Sequence, residues 1–249
     1  MRSLKIISVA FSVFFFSGCD SLNQASQILT QTGLGNPSAS EISLGLKQAL
    51  EFGTSAGADR LSATDGFFAN AAVKILFPEE ALKVERTLRS VGLNKLADNV
   101  ILSLNRAAEA AAIEAKPIFI SAVKGMTFAD ATSILLGRQQ DAATIYFKRV
   151  TSDQLQQKFQ PIIQSSLNKV GATRYWTDAI TAYNRIPLVG KVNPDLSAYV
   201  TQKAIDGIFF EIAKEELKIR TRISARSTPL LQKVFAYADR NSGNTGAYN

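Results

Sequence analysis

Helix start and stop signals recur along almost the whole chain, and they constrain its fold more than any other feature. Ser38 with Glu41, and Thr127 with Asp130, have the spacing of capping boxes. Apolar residues follow such starts at intervals of three and four, and glycine or proline closes the segments. Strand signals are confined to residues 186–192, which favour at most one minor hairpin. The sequence therefore predicts an all-α fold, a single-domain bundle of about eight to ten helices.

Two segments carry more detailed expectations about the bundle. From Pro194 to about Arg226, apolar residues occupy two faces of the first half, so we expect the longest and most central helix there. Thr151 can cap a helix that runs to Gly171. Pro161 lies too far inside that helix for a first turn, and it predicts a kink or a break into two helices.

The N-terminus has the pattern of a secretion signal. Arg2 and Lys5 precede an apolar run, residues 6–16, that is too short to span a bilayer as a helix. Phe16-Ser17-Gly18-Cys19 then resembles a bacterial lipobox, with Phe where Leu is usual. Because the only cysteine of the chain follows its only signal-like run, we expect cleavage before Cys19 and lipid attachment to its sulfur. An ordinary signal followed by an unrelated cysteine is the alternative.

This interpretation divides the chain into four parts. Residues 1–18 are the predicted lipoprotein signal peptide, 19–37 a lipid-proximal tether, 38–240 the helical domain and 241–249 a disordered tail. The lipid at Cys19 would hold the protein in the bacterial cell envelope, facing the periplasm. The sequence leaves inner and outer membrane undecided.

The chain contains no histidine, which restricts its chemistry. Catalytic triads, imidazole acid-base catalysis and the usual zinc sites all need that side chain. Acidic pairs occur on helices, but neither EF-hand spacing nor an acidic loop is present. We therefore expect no metal site and no cofactor, and we assign no catalytic residue.

A carboxylate-only enzyme acting on envelope glycans or lipids remains an alternative to a binding or scaffolding role. It requires a carboxyl group of raised pKa beside an aromatic-lined groove, and the candidates are Glu109, Asp130 and Asp141. Arg106 lies one turn before Glu109, which favours a simple ion pair within one helix.

Charged residues are densest between Glu211 and Arg226. Three glutamates in the first half each have a basic residue three or four positions later, which predicts a solvated, self-paired helix face. Arg220, Arg222 and Arg226 come at the end, where cations complement the helix dipole. The alternative interpretation is an anion-binding patch for lipid headgroups or an acidic partner. Loss of residues 1–18 lowers the net charge from +7 to +5, a modest value that disfavours nucleic acid.

Seven short segments along the chain form a set with a recognisable order and spacing. They are Asp65-Gly66-Phe67-Phe68, Asn105-Arg106-Ala107-Ala108-Glu109, Pro117-Ile118-Phe119, Met126-Thr127 with Asp130-Ala131, Ala142-Ala143-Thr144 with Tyr146-Phe147, Tyr199-Val200-Thr201, and Ile219-Arg220 with Ala225-Arg226. The set resembles the bacterial family called domain of unknown function 4197, over residues 42–236. The resemblance implies a helical, secreted and often lipid-anchored protein with no established activity and no assigned catalytic residue.

The sequence thus predicts a lipid-anchored cell-envelope protein with a helical binding or scaffolding domain. Its expected contacts are the membrane, through the N-terminal lipid, and an envelope protein or anionic ligand.

Overall fold

The computed structural model describes residues 35–173, 176–177, 181, 193 and 195–241. The chain divides into two compact units, Met1–Asn36 and Pro37–Asn249, and the described residues lie almost entirely in the second. Some predictions fall outside the described residues. They are the signal peptide 1–18, the lipidated Cys19, nearly all of the tether 19–37, the hairpin 186–192 and the tail beyond Asn241.

The described residues include eight α-helices, two short 3-10 turns and further helical residues at 172–173, 176–177 and 181, and they contain no strand. The helices are α1 (Ala39–Ser62), α2 (Leu82–Ser90), α3 (Asn94–Ala112), α4 (Ala115–Gly125), α5 (Phe128–Leu136), α6 (Ala142–Lys169), α7 (Leu196–Thr221) and α8 (Pro229–Asn241). The 3-10 turns are Glu79–Ala81, before α2, and Ile223–Ala225, before α8. The predicted all-α, multi-helix bundle is confirmed.

Helix α7 is central, as predicted, and packs against α1, α3 and α6. Small residues allow this close packing. A Cβ atom added to Gly57 of α1 would lie 3.5 Å from Cβ of Glu211, and one added to Gly207 would lie 2.6 Å from the Phe67 ring. The prediction that α7 is the longest helix is wrong. It ends at Thr221 after 26 residues, whereas α6 has 28.

Helix α6 corrects two sequence-based expectations. Thr151 lies inside it rather than at its start, and its buried hydroxyl donates to the Phe147 carbonyl oxygen at 2.7 Å. The helix also continues through Pro161 without a break. Pro161 has no N–H, so the carbonyl of Gln157, four positions earlier, loses its helical partner. Both residues are exposed, so water can bind that carbonyl. Buried Phe159 and Ile163 attach the helix to the core on either side of the proline.

Both predicted capping boxes are confirmed. At α1, the Glu41 amide donates to the Ser38 hydroxyl at 3.2 Å and the Ser38 amide donates to the Glu41 carboxylate at 2.7 Å. At α5, the Asp130 amide donates to the Thr127 hydroxyl at 3.1 Å and Asp130 accepts from the Thr127 amide at 3.1 Å. These local caps explain why the two helices begin where the sequence predicts.

The cap of α1 makes stability depend on pH through Glu41. Hydrogen bonds from the Lys233 ammonium and the Ser38 amide lower the pKa of Glu41 from 4.5 to about 2. Because the pKa is lower in the folded state, the stabilising contribution is complete above about pH 4.5 and is lost as the pH falls through about 2. Thermal unfolding of Glu41→Gln should therefore give a lower Tm than the unmodified chain at about pH 6, and the difference should shrink below about pH 4 and vanish below about pH 2. A Tm difference that stays constant over this range would contradict the prediction.

Candidate functional site

Three glutamates of α7 lie in the interior, where the sequence predicted a solvated face. Glu211, Glu215 and Glu216 are 0%, 6% and 7% exposed. Each has the predicted basic neighbour, with ion pairs of 3.4 Å to Lys214, 3.3 Å to Lys218 and 2.8 Å to Arg220. The expectation of solvation is wrong because each carboxylate also binds a group on another helix or loop. Buried carboxylates of this kind are retained only where they are paired and hydrogen-bonded.

Arg60 of α1 connects two of these glutamates. Its Nη1 pairs with Glu211, and its Nη2 donates to Oε1 of Glu215 at 2.7 Å. The Asn70 side-chain amide donates to Oε1 of Glu211 at 3.3 Å. Burial favours a higher pKa for Glu215, but hydrogen bonds from Arg60 and Lys218 outweigh it and hold the pKa below its ordinary value. Helices α1 and α7 are thus joined by an ion-pair network rather than by apolar contacts alone.

Glu216 caps the N-terminus of α6 from α7. Its carboxylate accepts hydrogen bonds of 2.9 Å from the amides of Ala143 and Thr144 and from the Thr144 hydroxyl. Arg220 donates to the same carboxylate through Nε at 3.1 Å and Nη2 at 2.8 Å, and Nη2 also reaches the Ile134 carbonyl oxygen at 2.9 Å. One Glu–Arg pair of α7 therefore connects the end of α5 to the start of α6.

Helix α3 holds the turn that follows α1. Oε1 of Glu109 accepts from the Phe67 amide at 3.1 Å and the Phe68 amide at 3.2 Å. Its Oε2 pairs with Arg106 at 2.6 Å, which confirms the predicted ion pair within the helix. Arg106 also binds Asp65 at 2.7 Å, where the backbone has a left-handed φ of 67°. The arrangement gives Glu109 a structural role as an acceptor.

Asn105 of α3 binds the irregular segment, residues 74–78, that follows this turn. Its side-chain oxygen accepts from the Ile75 amide at 2.8 Å, and its side-chain nitrogen donates to the Ile75 carbonyl oxygen at 2.8 Å. Sequence reasoning did not assign a role to Asn105, Asn70 or Arg60, because their partners are distant in sequence.

The other two carboxylates proposed for an enzyme lie near the α5–α6 connection. Asp130 lines a depression of about 420 Å³ together with Tyr146 and Arg149. Hydrogen bonds from Thr127 hold the pKa of Asp130 below its ordinary value, the opposite of what a general acid needs. Asp141 is exposed and directly precedes α6.

The three arginines proposed as an anion patch differ in environment. Arg226 is buried and binds both carboxylate oxygens of Asp239, at 2.7 and 3.2 Å, besides two carbonyl oxygens at the end of α7. Arg220 is paired with Glu216, and Arg222 is exposed. Two of the three proposed anion-binding residues, Arg220 and Arg226, are therefore already paired with carboxylates of the fold.

A second depression, of about 410 Å³, adjoins the first at the α5–α6 connection. It is lined by Leu135, Gly137, Arg138, Gln139, Gln140, Arg220, Thr221, Phe235, Ala238 and Asp239. Gly137, Arg138 and Gln139 line both depressions. Of the predicted arginines, Arg220 is the one that faces this space. The cationic side chain that sequence reasoning missed here is Arg138, which lies in a connection without any periodic signal.

No group of three or more metal-binding side chains occurs among the described residues. No single helix in the described part of the chain is long and apolar enough to cross a bilayer, and the run from Asn94 to Leu136 reaches that length and composition only as two segments bent by 103°.

Comparison with known proteins gives one match. A family model described as a protein of unknown function, DUF4197, matches residues 36–236. No curated protein and no solved structure matches the chain.

Proposed function

Because the chain belongs to the family of proteins of unknown function DUF4197, we propose a role from its own residues: a lipid-anchored protein of the bacterial cell envelope whose helical domain binds or scaffolds a partner. The anchoring part is supported by the N-terminal sequence, where Cys19 follows the apolar run 6–16 and the small residues Ser17 and Gly18. Two acyl chains on the sulfur and one on the new amino terminus would exceed the two signals that stable membrane attachment requires.

The binding part is supported by how the domain uses its buried acids. Glu109, Glu211, Glu215 and Glu216 all accept hydrogen bonds from an arginine, and each connects two separate elements of the fold. A general acid must instead present a proton to a substrate, usually from a carboxyl group of raised pKa. This use of the buried carboxylates is the observation that favours a binding or scaffolding role over a carboxylate-only enzyme.

The anchor is tested by replacing Cys19 with alanine. We expect the variant to incorporate no radiolabelled palmitate and to be recovered as a soluble or unprocessed protein, because the acyl acceptor is gone. Cys19→Ser, which keeps a polar side chain of similar size, should behave in the same way. Labelling that continues in either variant would refute the lipid-anchor proposal.

The binding role is tested separately by crosslinking intact cells and purifying the chain under denaturing conditions. We expect a discrete crosslinked adduct between the lipidated chain and its partner. A chain that is recovered only as uncrosslinked monomer, at every spacer length used, would contradict a scaffolding role.

A further inference from the structure

We propose that the depression of about 410 Å³ at the α5–α6 connection binds a phosphate-bearing ligand through Arg220 and Arg138. The inference deepens the proposed binding function, on which it rests, by assigning a site and a ligand class. It does not depend on the lipid at Cys19.

Arg220 supplies a guanidinium group that is held in place before any ligand arrives. Its side chain is only 14% exposed, and Nε and Nη2 are fixed by Glu216 and by the Ile134 carbonyl oxygen. Among the described residues, no acceptor binds Nη1, and the same side chain lines the depression. An arginine whose position is already fixed loses little conformational entropy when it binds an anion, which favours affinity.

Arg138 supplies a second guanidinium group from a different element of the fold. It lies in the connection between α5 and α6, whose two ends are held by the Glu216–Arg220 pair of α7. Gly137, directly before it, cannot be replaced without strain, because a Cβ atom there would lie 2.6 Å from the Ser133 carbonyl oxygen. The backbone that carries Arg138 is therefore constrained, although its side chain is exposed.

The remaining lining is compatible with an anion. Among the described residues of the wall the one carboxylate is Asp239, and Arg226 binds both of its oxygens, so its charge is already compensated. Gln139 and Gln140 offer side-chain amides, and Leu135 and Phe235 form an apolar wall. The volume lies in the range of small-molecule sites, roughly 300–1,000 Å³.

A phosphate group suits these donors better than a carboxylate does. Phosphate is tetrahedral and presents anionic oxygens in several directions, whereas a carboxylate presents two oxygens in one plane. The donors of the depression come from two arginines on separate elements and from two glutamine amides. The phosphate could belong to a soluble ester or to a lipid headgroup, and the shared chemistry is the same.

The test measures binding of inorganic phosphate and glycerol 3-phosphate to the purified full chain by calorimetry. It also measures binding of the full-length Cys19→Ala variant to phosphatidylcholine vesicles with and without phosphatidylglycerol. Arg138→Gln should weaken binding by about tenfold, the effect of losing one charge-assisted hydrogen bond. Arg86→Gln removes the same charge from an exposed position on α2 and should leave binding unchanged.

The outcomes separate the possible sources of the phosphate. Binding of the soluble probes that Arg138→Gln weakens supports a soluble ligand, and binding only to phosphatidylglycerol vesicles, with the same weakening, supports a lipid headgroup. No binding of any probe, or equal binding by Arg138→Gln and Arg86→Gln, would overturn the proposal. Since the calorimetry does not use the lipid anchor, failure here leaves the palmitate result intact, and loss of the anchor leaves this site intact.

Discussion

Replacing Arg60 with methionine is expected to lower the free energy of unfolding by about 3 kcal/mol. The substitution keeps an unbranched apolar stem but removes the cation that faces Glu211 and Glu215. Glu211 has no exposed surface, so its charge cannot regain water when its partner is lost. Lys214 stays within 3.4 Å of Glu211, but its side chain is more than half exposed and compensates only weakly. Urea unfolding followed by far-UV circular dichroism measures the difference.

Two controls separate the ion-pair network from general effects of losing an arginine. Arg86→Met makes the same change at an exposed position of α2 and should alter stability by less than about 0.5 kcal/mol. Adding Glu211→Gln to Arg60→Met should recover about 1 kcal/mol or more, because it removes the uncompensated buried charge. If Arg60→Met matches Arg86→Met, the network does not stabilise the contact between α1 and α7.

The sequence predicts those parts of the fold whose partners are close along the chain. The capping box of α1 joins Ser38 to Glu41, three positions apart, and the pair Arg106–Glu109 has the same separation. Such contacts follow from the helix geometry alone, so a helical pattern is enough to predict them. The all-α class and the starts of α1 and α5 are predictable for this reason.

The ion-pair network is not predictable in the same way, because its partners are far apart in sequence. Arg60 and Glu211 are 151 positions apart, and a local partner, Lys214, already accounts for Glu211. A solvated pair and a buried network have the same sequence pattern within α7. The one available signal was the spacing of Gly53 and Gly57 on α1, which allows another helix to approach closely but does not say which one.

The start of α6 is also determined by a residue that is distant in sequence. Asp141 occupies the N-cap position but makes no side-chain cap hydrogen bond, and the sequence pattern predicted a start at Thr151 instead. The acceptor that satisfies the first amides is Glu216, which lies 72 positions from Thr144. A cap supplied by a residue so distant cannot be identified from the local sequence, and it is visible only once the helices are packed.

Replacing Glu216 with alanine is therefore expected to destabilise the bundle by about 3–5 kcal/mol. The change leaves the amides of Ala143 and Thr144 without their acceptor in the interior, and it leaves Arg220 with the Ile134 carbonyl oxygen alone. Glu216→Gln keeps an acceptor for the amides but loses the charge that faces Arg220, so about half of the loss is expected. Glu51→Ala, at an exposed position of α1, should change stability by less than about 0.5 kcal/mol.

Amide hydrogen exchange gives a readout of this cap that a general loss of packing would not produce. In Glu216→Ala, exchange should accelerate most at Ala143 and Thr144, and the increase should diminish toward Phe159 in the middle of α6. Because Glu216 also fixes Arg220, the same variant should weaken phosphate binding at the depression even though no lining residue has changed. Uniform acceleration along α6 would show that the loss of stability is global, and the cap would then not be its cause.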